Sequence, residues 1–286
     1  MLYWSAEFLN EEWRSVMEYK ILVLDIDGTL TNSKKEITPR THAALKKAQE
    51  KGVKIVLASG RPTYGIMPVA KELELERYGG YILSFNGGRI INAQTGEAIY
   101  QKTLPPEMPA LLYDMSQEYK TNIMTYLDET VITPKKDDKY VELESRINKM
   151  AVREVKDFKS FVNFPVTKCL MVEDGDYLAE VEQKVKARLG DTLSVLRSEP
   201  FFLEIMPKNI DKAYSLGKLL EHLGLDKAQM IACGDGFNDR SMIEFAGLGV
   251  AMANSQEPVK AVADHVTVSN DEDGVAVVVE QFILGE

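Results

Sequence analysis

Ile21-Leu22-Val23-Leu24-Asp25-Ile26-Asp27-Gly28-Thr29-Leu30 is the stretch on which the reading of this chain turns. Four consecutive apolar residues predict a short strand buried on both faces, as in parallel sheets covered by helices. Two carboxylates at i and i+2 follow at once. At a strand end they can converge on one cation, and the glycine lets the chain turn sharply. Alone, the pattern is weak, since calcium loops and plain turns produce it too.

On either side of this stretch the chain alternates strand and helix signals. Pro39 opens a helix with Thr38 as its N-cap, and Gly52 stops it. Val53–Ala58 reads as a strand, a helix follows Pro62, and Tyr81–Phe85 is a third strand that Asn86-Gly87-Gly88 turns into a hairpin. The middle third loses this rhythm. Strand candidates at Asn122–Tyr126, Val166–Glu173 and Ser194–Arg197, and a helix from Asp176 to Arg188, suggest an inserted α+β domain. The rhythm then returns, with helix Lys212–Leu223, strand Met230–Cys233, helix Asp239–Ala246, strand Gly249–Met252, helix Ser255–Ala263, strand His265–Val268 and helix Gly274–Phe282. The expected architecture is α/β: a Rossmann-like parallel-sheet core with helices on both faces and an inserted α+β cap domain. Its expected divisions are an N-terminal extension at 1–18, core at 19–100, cap at 101–205 and core again at 206–286. In the extension, Trp4, Phe8 and Trp13 could share one side of a short helix, but an upstream extension before a natural start at Met17 is the favoured reading. Right-handed crossovers would bring all the strand C-termini of the core to one edge.

Composition bounds the function. With 286 residues, 45% hydrophobic and 27% charged, the chain has material for a real core. A formal net charge of −10 argues against nucleic acid as a partner, because a polyanion needs a basic face. Cys169 and Cys233 fit no metal-ligand spacing and read as small core hydrophobes of a reducing compartment. No apolar run reaches membrane-span length, and the acidic start resembles no signal peptide, so cytoplasmic is the expected location. Oligomeric state leaves no mark in the pattern.

Further polar clusters fall at the predicted strand ends. Ser59-Gly60-Arg61 offers a hydroxyl, amides and a guanidinium. Lys212 opens a helix, with Lys208 as a competing candidate. Gly234-Asp235-Gly236-Phe237-Asn238-Asp239 supplies two more carboxylates in a turn, a second potential magnesium platform. The histidines His42, His222 and His265 share no spacing and read as bland. Tyr126 and Asp128 lie in the insertion, open between substrate contact and hairpin packing. The turn Asn270-Asp-Glu-Asp-Gly274 reads as a cap for the last helix.

In this order the motifs resemble those of the haloacid dehalogenase superfamily, and within it the Cof-type phosphatases with a large cap of the C2 type. The resemblance runs from Tyr19 to the C-terminus. It implies a phosphomonoester hydrolase that acts on a small phosphorylated metabolite, a sugar phosphate or a phosphorylated cofactor, with Mg2+. Asp25 would be the nucleophile that forms an aspartyl-phosphate, and Asp27 the acid and base. Magnesium would bind Asp25, Asp235 and the Asp27 carbonyl, with Asp239 in the outer shell. Ile26, Ser59, Gly60, Lys212 and Asn238 would hold phosphate. Arg61 and Asn86 would meet substrate or brace a loop. A phosphotransferase of the phosphomutase kind, using the same aspartyl-phosphate, is the alternative. A non-catalytic phosphate receiver is remote, since receivers lack this DxD pattern and a cap-sized insertion.

Overall fold

The computed structural model describes residues 19–286, so the extension expected at 1–18, with Trp4, Phe8 and Trp13, lies outside the described residues. The chain forms two sheets. The first strands are β1 (Ile21–Leu24), β2 (Lys54–Ala58), β3 (Tyr81–Ser84), β4 (Arg89–Asn92) and β5 (Ala98–Gln101). The middle of the chain supplies β6 (Asn122–Leu127), β7 (Thr130–Thr133), β8 (Ala151–Glu154), β9 (Cys169–Val172), β10 (Leu193–Glu199) and β11 (Phe202–Pro207). The last are β12 (Met230–Gly234), β13 (Leu248–Ala251) and β14 (His265–Val266).

The core sheet has the order β14-β13-β12-β1-β2-β3-β4-β5. It is parallel from β14 to β3, and β4 and β5 extend it antiparallel. The four apolar residues of β1 are divided between the two faces, as side-chain alternation requires. Leu22 and Leu24 pack under helices Pro39–Glu50, Thr63–Glu72 and Gly274–Val279, while Ile21 and Val23 pack under helix Lys212–Leu223. From β1 the chain builds outward through β2 and β3, and after the insertion it returns beside β1 and builds the other way. The crevice beyond the carboxyl ends of β1 and β12 is therefore a topological switch point, where open α/β sheets bind ligands.

The second sheet has the order β10-β11-β9-β6-β7-β8. Helices Met108–Glu118 and Gly175–Leu189 cover one face. The opposite face, with Met124, Leu170, Val172 and Phe202, turns toward the core and is partly covered by helix Lys139–Asn148. A Rossmann-like core with a cap is thus the observed architecture.

Several elements depart from expectation. β11 has no counterpart in the sequence reading, and its Phe-Leu-Glu-Ile-Met-Pro run is buried throughout. The helix expected over Ser255–Ala263 is a single turn, Glu257–Lys260, with Pro258 in its first turn, where the missing N–H costs nothing, and with Ala261 as its C-cap. The last helix runs Gly274–Val279 and continues as a π-turn over Glu280–Leu284. Asp273 precedes it in a left-handed conformation and makes no side-chain cap bond. Instead the turn before that helix ties down the loop after β1: Asp271 accepts from the Ser33 amide and hydroxyl at 2.7 and 2.6 Å, and Asp273 accepts from the Thr38 hydroxyl.

Core and cap touch where Asn148, at the end of its helix, meets Gly65 in helix Thr63–Glu72. A Cβ on Gly65 would lie 2.4 Å from Asn148 Oδ1. Alanine would otherwise favour that helix by roughly 1 kcal/mol. Gly65→Ala should therefore hold the cap away from the core and enlarge the radius of gyration in small-angle scattering, and Gly65→Ala with Asn148→Ala should restore it. An unchanged radius in the single variant would show that this contact does not set the spacing of the two lobes.

Candidate active site

Three strand ends at the carboxyl edge of the core sheet converge on one ammonium group. Lys212 begins its helix directly after Asp211, whose carboxylate caps the helix by accepting from the Tyr214 amide at 2.9 Å. That cap points Lys212 inward, under the ends of β1 and β2. Its Nζ donates to Asp25 Oδ1 at 2.7 Å, to Asp239 Oδ1 at 2.5 Å and to the Ala58 carbonyl at 2.8 Å. All three donors of the ammonium are used, and the residue is 1% exposed. The rival, Lys208, is exposed.

Asp239 is fully committed within the protein. Besides Lys212, its Oδ2 accepts from the Asp235 and Gly236 amides at 3.0 and 2.8 Å, which shapes the loop after β12. Asp235 accepts from the Thr29 hydroxyl at 2.8 Å. It lies so close to the turn after β1 that a Cβ on Gly28, which has φ +87°, would fall 2.4 Å from its Oδ2. This glycine is required both by the conformation and by the space.

Asp25, Asp235 and Asp239 bring carboxylate oxygens within 4.8 Å of one another. Three acids lie around one buried cation, and two of them are raised. Burial and Asp239 push the Asp25 carboxyl up to about 8 against the pull of Lys212. Burial also raises Asp235, against the Thr29 hydrogen bond. Burial pulls Lys212 down, but Asp25 and Asp239 outweigh it, so the ammonium stays charged. A site short of positive charge, lined by oxygen donors and kept open by Gly28, fits a hard divalent cation.

Asp27, two residues from Asp25, has the opposite environment. Its half-exposed carboxylate is held by both arms of Arg61, at 2.8 and 3.0 Å, and by Lys35 at 2.9 Å. Burial alone would raise it, but Arg61 and Lys35 together bring it below the ordinary carboxylate value. Lys35 left no signal in the sequence reading, because it sits in an exposed loop outside any motif.

The remaining predicted residues gather around these acids. Ser59, Gly60, Arg61, Asn86 and Asn238 line the same cleft, of about 1110 Å³, between core and cap. The amides of Ile26 and Gly60 make no hydrogen bond among the described residues, and both residues border the cleft. Asn86, in a left-handed conformation, accepts from Asn238 Nδ2 at 3.1 Å and packs on Gly60, so it braces two site loops against each other. Cys169 and Cys233 are buried free thiols, and burial raises both to about 12. Among the described residues, no helix is long and apolar enough to cross a membrane.

Comparison with known proteins gives consistent results. A family model described as haloacid dehalogenase-like hydrolase matches residues 22–279. A haloacid dehalogenase-like hydrolase from Bacteroides thetaiotaomicron is similar in structure, with a TM-score of 0.89 and 51% identity, covering 92% of this chain and 99% of that one. In Bacillus subtilis, YxeH is 32% identical over 271 residues, 94% of this chain and 100% of its own. The 5-amino-6-(5-phospho-D-ribitylamino)uracil phosphatase YcsE of the same organism is 29% identical over 274 residues, 95% of this chain and 98% of its own.

The electrostatics make a direct prediction for the metal-free protein. An unfolded aspartate titrates near 3.9, whereas folded Asp25 titrates at about 8. Between those values the folded state binds the extra proton, so the Asp25 contribution to stability is present at low pH and is lost as pH rises through 8. In urea unfolding with a chelator, the wild type should lose stability relative to Asp25→Asn as pH rises from about 5 to about 9. Millimolar magnesium should reverse the trend in the wild type only. A pH-independent difference between the two proteins would contradict it.

Proposed function

Because the chain belongs to the haloacid dehalogenase-like hydrolases and is a phosphatase of the Cof type, we propose that it hydrolyses phosphomonoesters of small metabolites through an aspartyl-phosphate on Asp25. The observation that carries this reading is the pair of unlike carboxylates, Asp25 and Asp27, at the switch point of the sheet. The metabolite is a sugar phosphate or a phosphorylated cofactor, and the expected cap of 101–205 shifts slightly, because β5 keeps Gln101 in the core sheet and β11 carries Met206 and Pro207 in the cap sheet.

Asp25 and Asp235, with the Asp27 carbonyl, would hold the divalent cation, which we take to be Mg2+. When bound, it neutralises charge on the transferring phosphoryl group and keeps Asp25 ionised. Lys212 fixes the Asp25 carboxylate and supplies permanent positive charge beside it. Asp239 orients Lys212 and holds the Asp235 loop in shape. The unpartnered amides of Ile26 and Gly60, the Ser59 hydroxyl and Asn238 would receive phosphate oxygens.

The first step joins an Asp25 oxygen to phosphorus and breaks the bond from phosphorus to the ester oxygen, which takes a proton from Asp27 and leaves as an alcohol. In the second, water attacks phosphorus, its proton passes to Asp27, and Asp25 is released with inorganic phosphate. The resting pairing of Asp27 with Arg61 and Lys35 suits the base role of the second step. An incoming dianionic ester competes for those two cations and its charge opposes ionisation of Asp27, which favours the acid form needed for the first. One carboxylate can then serve both steps.

Asp25→Asn should abolish turnover while leaving the fold intact. Asp27→Asn should slow hydrolysis of alkyl phosphates by about 10²–10⁴-fold, the usual worth of general acid–base help. Nitrophenyl phosphate, whose leaving group needs little protonation, should instead give a burst of nitrophenol followed by a slow steady state. Absence of the burst in an Asp27→Asn protein that still binds magnesium and substrate would remove Asp27 from the acid–base role.

A further inference from the structure

The core-facing side of the cap sheet carries polar groups for which the phosphate chemistry has no use. Lys168, just before β9, and Glu204, in β11, are 4% and 7% exposed, line the cleft, and pair with Nζ 3.0 Å from Oε1. Strand alternation puts them on the same face as Leu170 and Phe202. An ammonium has three donors, and Lys168 Nζ makes this one hydrogen bond among the described residues. Its other contacts are the rings of Phe85 and Tyr126, with centroids at 5.7 and 5.5 Å. Glu204 Oε2 accepts no hydrogen bond among the described residues. Glu144, also in the cleft and 6% exposed, accepts from the Tyr126 hydroxyl through Oε1 at 2.6 Å, which leaves Oε2 free. Asn148 Oδ1, buried at the same wall, has no hydrogen-bond partner.

A buried ion pair with unused donors and acceptors is a poor packing element, since an apolar pair of the same volume holds a sheet at least as well. The unused groups do match a ligand. They are two N–H groups on Lys168 against free oxygens on Glu204, Glu144 and Asn148. Hydroxyls, each both donor and acceptor, can satisfy such a set. A carboxylate or second phosphate would face two buried carboxylates.

We propose that Lys168 and Glu204 determine specificity for the leaving group and select a polyhydroxylated alcohol, with Lys168 donating to one hydroxyl and Glu204 accepting from its neighbour. This rests on the aspartyl-phosphate reading of Asp25. Glu144 and Asn148 extend the acceptor wall. Esters without hydroxyls leave these groups unpaired and are selected against.

The test measures phosphate release by the purified full-length protein with magnesium. The esters are glucose 6-phosphate, ribitol 5-phosphate, propyl phosphate, 2-phosphoglycolate and nitrophenyl phosphate. The wild type should favour at least one of the two hydroxylated esters over propyl phosphate and phosphoglycolate. Lys168→Met and Glu204→Gln should each lower kcat/KM on that ester by about 10–100-fold, the range of a hydrogen bond to a charged group, with nitrophenyl phosphate near its wild-type value. Lys168→Met with Glu204→Leu replaces the pair by apolar side chains. It should show the same selective loss with an unaltered circular dichroism spectrum. Equal losses on every ester, or a wild-type preference for propyl phosphate or phosphoglycolate over both hydroxylated esters, would overturn the proposal. The underlying chemistry fails separately, through nitrophenyl phosphate turnover that survives Asp25→Asn, and the proposal would fall with it.

Discussion

A single buried ammonium holds the site together. Lys212 directs one N–H to the end of β1 through Asp25, one to the end of β2 through the Ala58 carbonyl, and one to the loop after β12 through Asp239. A buried lysine is tolerable only when every donor is satisfied and its charge is opposed. That requirement fixes the relative positions of three strand ends contributed by distant parts of the chain. It also fixes where the chain must re-enter the core after the cap, because Lys212 follows β11 by only a few residues. Losing this cation would leave Asp25 and Asp239 facing each other out of water, a loss of about 3–5 kcal/mol for a broken buried pair.

Asp25 and Asp27 show how two carboxylates two residues apart acquire opposite properties. Asp25 points into the crowded, buried side of the strand end, where the acids outnumber the cations, and its carboxyl rises. Asp27 points to the cleft, where Arg61 and Lys35 outnumber it, and its carboxyl falls. Pairs of groups driven apart by their surroundings can divide nucleophilic and acid–base work at one pH. The division arises because both residues lie past the end of β1, where the backbone is already turning, so Asp25 meets Lys212 while Asp27 meets Arg61 and Lys35.

Much of this was legible in the sequence because parallel-sheet topology leaves little choice. Once the strands before Asp25, Ser59 and Asp235 are recognised, right-handed crossovers put their carboxyl ends on one edge. The convergence of Asp25, Lys212, Asp235 and Asp239 follows. The cap was harder to read for a physical reason. In β11, Glu204 interrupts the apolar run and Pro207 ends it, so a strand buried along its whole length looks like a loop. Lys168 gives no signal of its own within the strand candidate Val166–Glu173, and only β11 brings Glu204 beside it. The clamps from Asp271 and Asp273 to the loop after β1 join residues more than two hundred positions apart, and no local pattern announces them.

The central claim is that Asp25 carries the phosphoryl group between the two steps. The most direct measurement is a rapid-quench single turnover of the wild type with a phosphate ester, followed by proteolysis in acid and mass spectrometry of the peptides. The account predicts a transient mass increase of one phosphoryl group on the peptide containing Asp25, which rises before free phosphate and decays as it appears. Phosphate release at full rate with no phosphoryl group on that peptide at any time, or with the group on another residue, would contradict it.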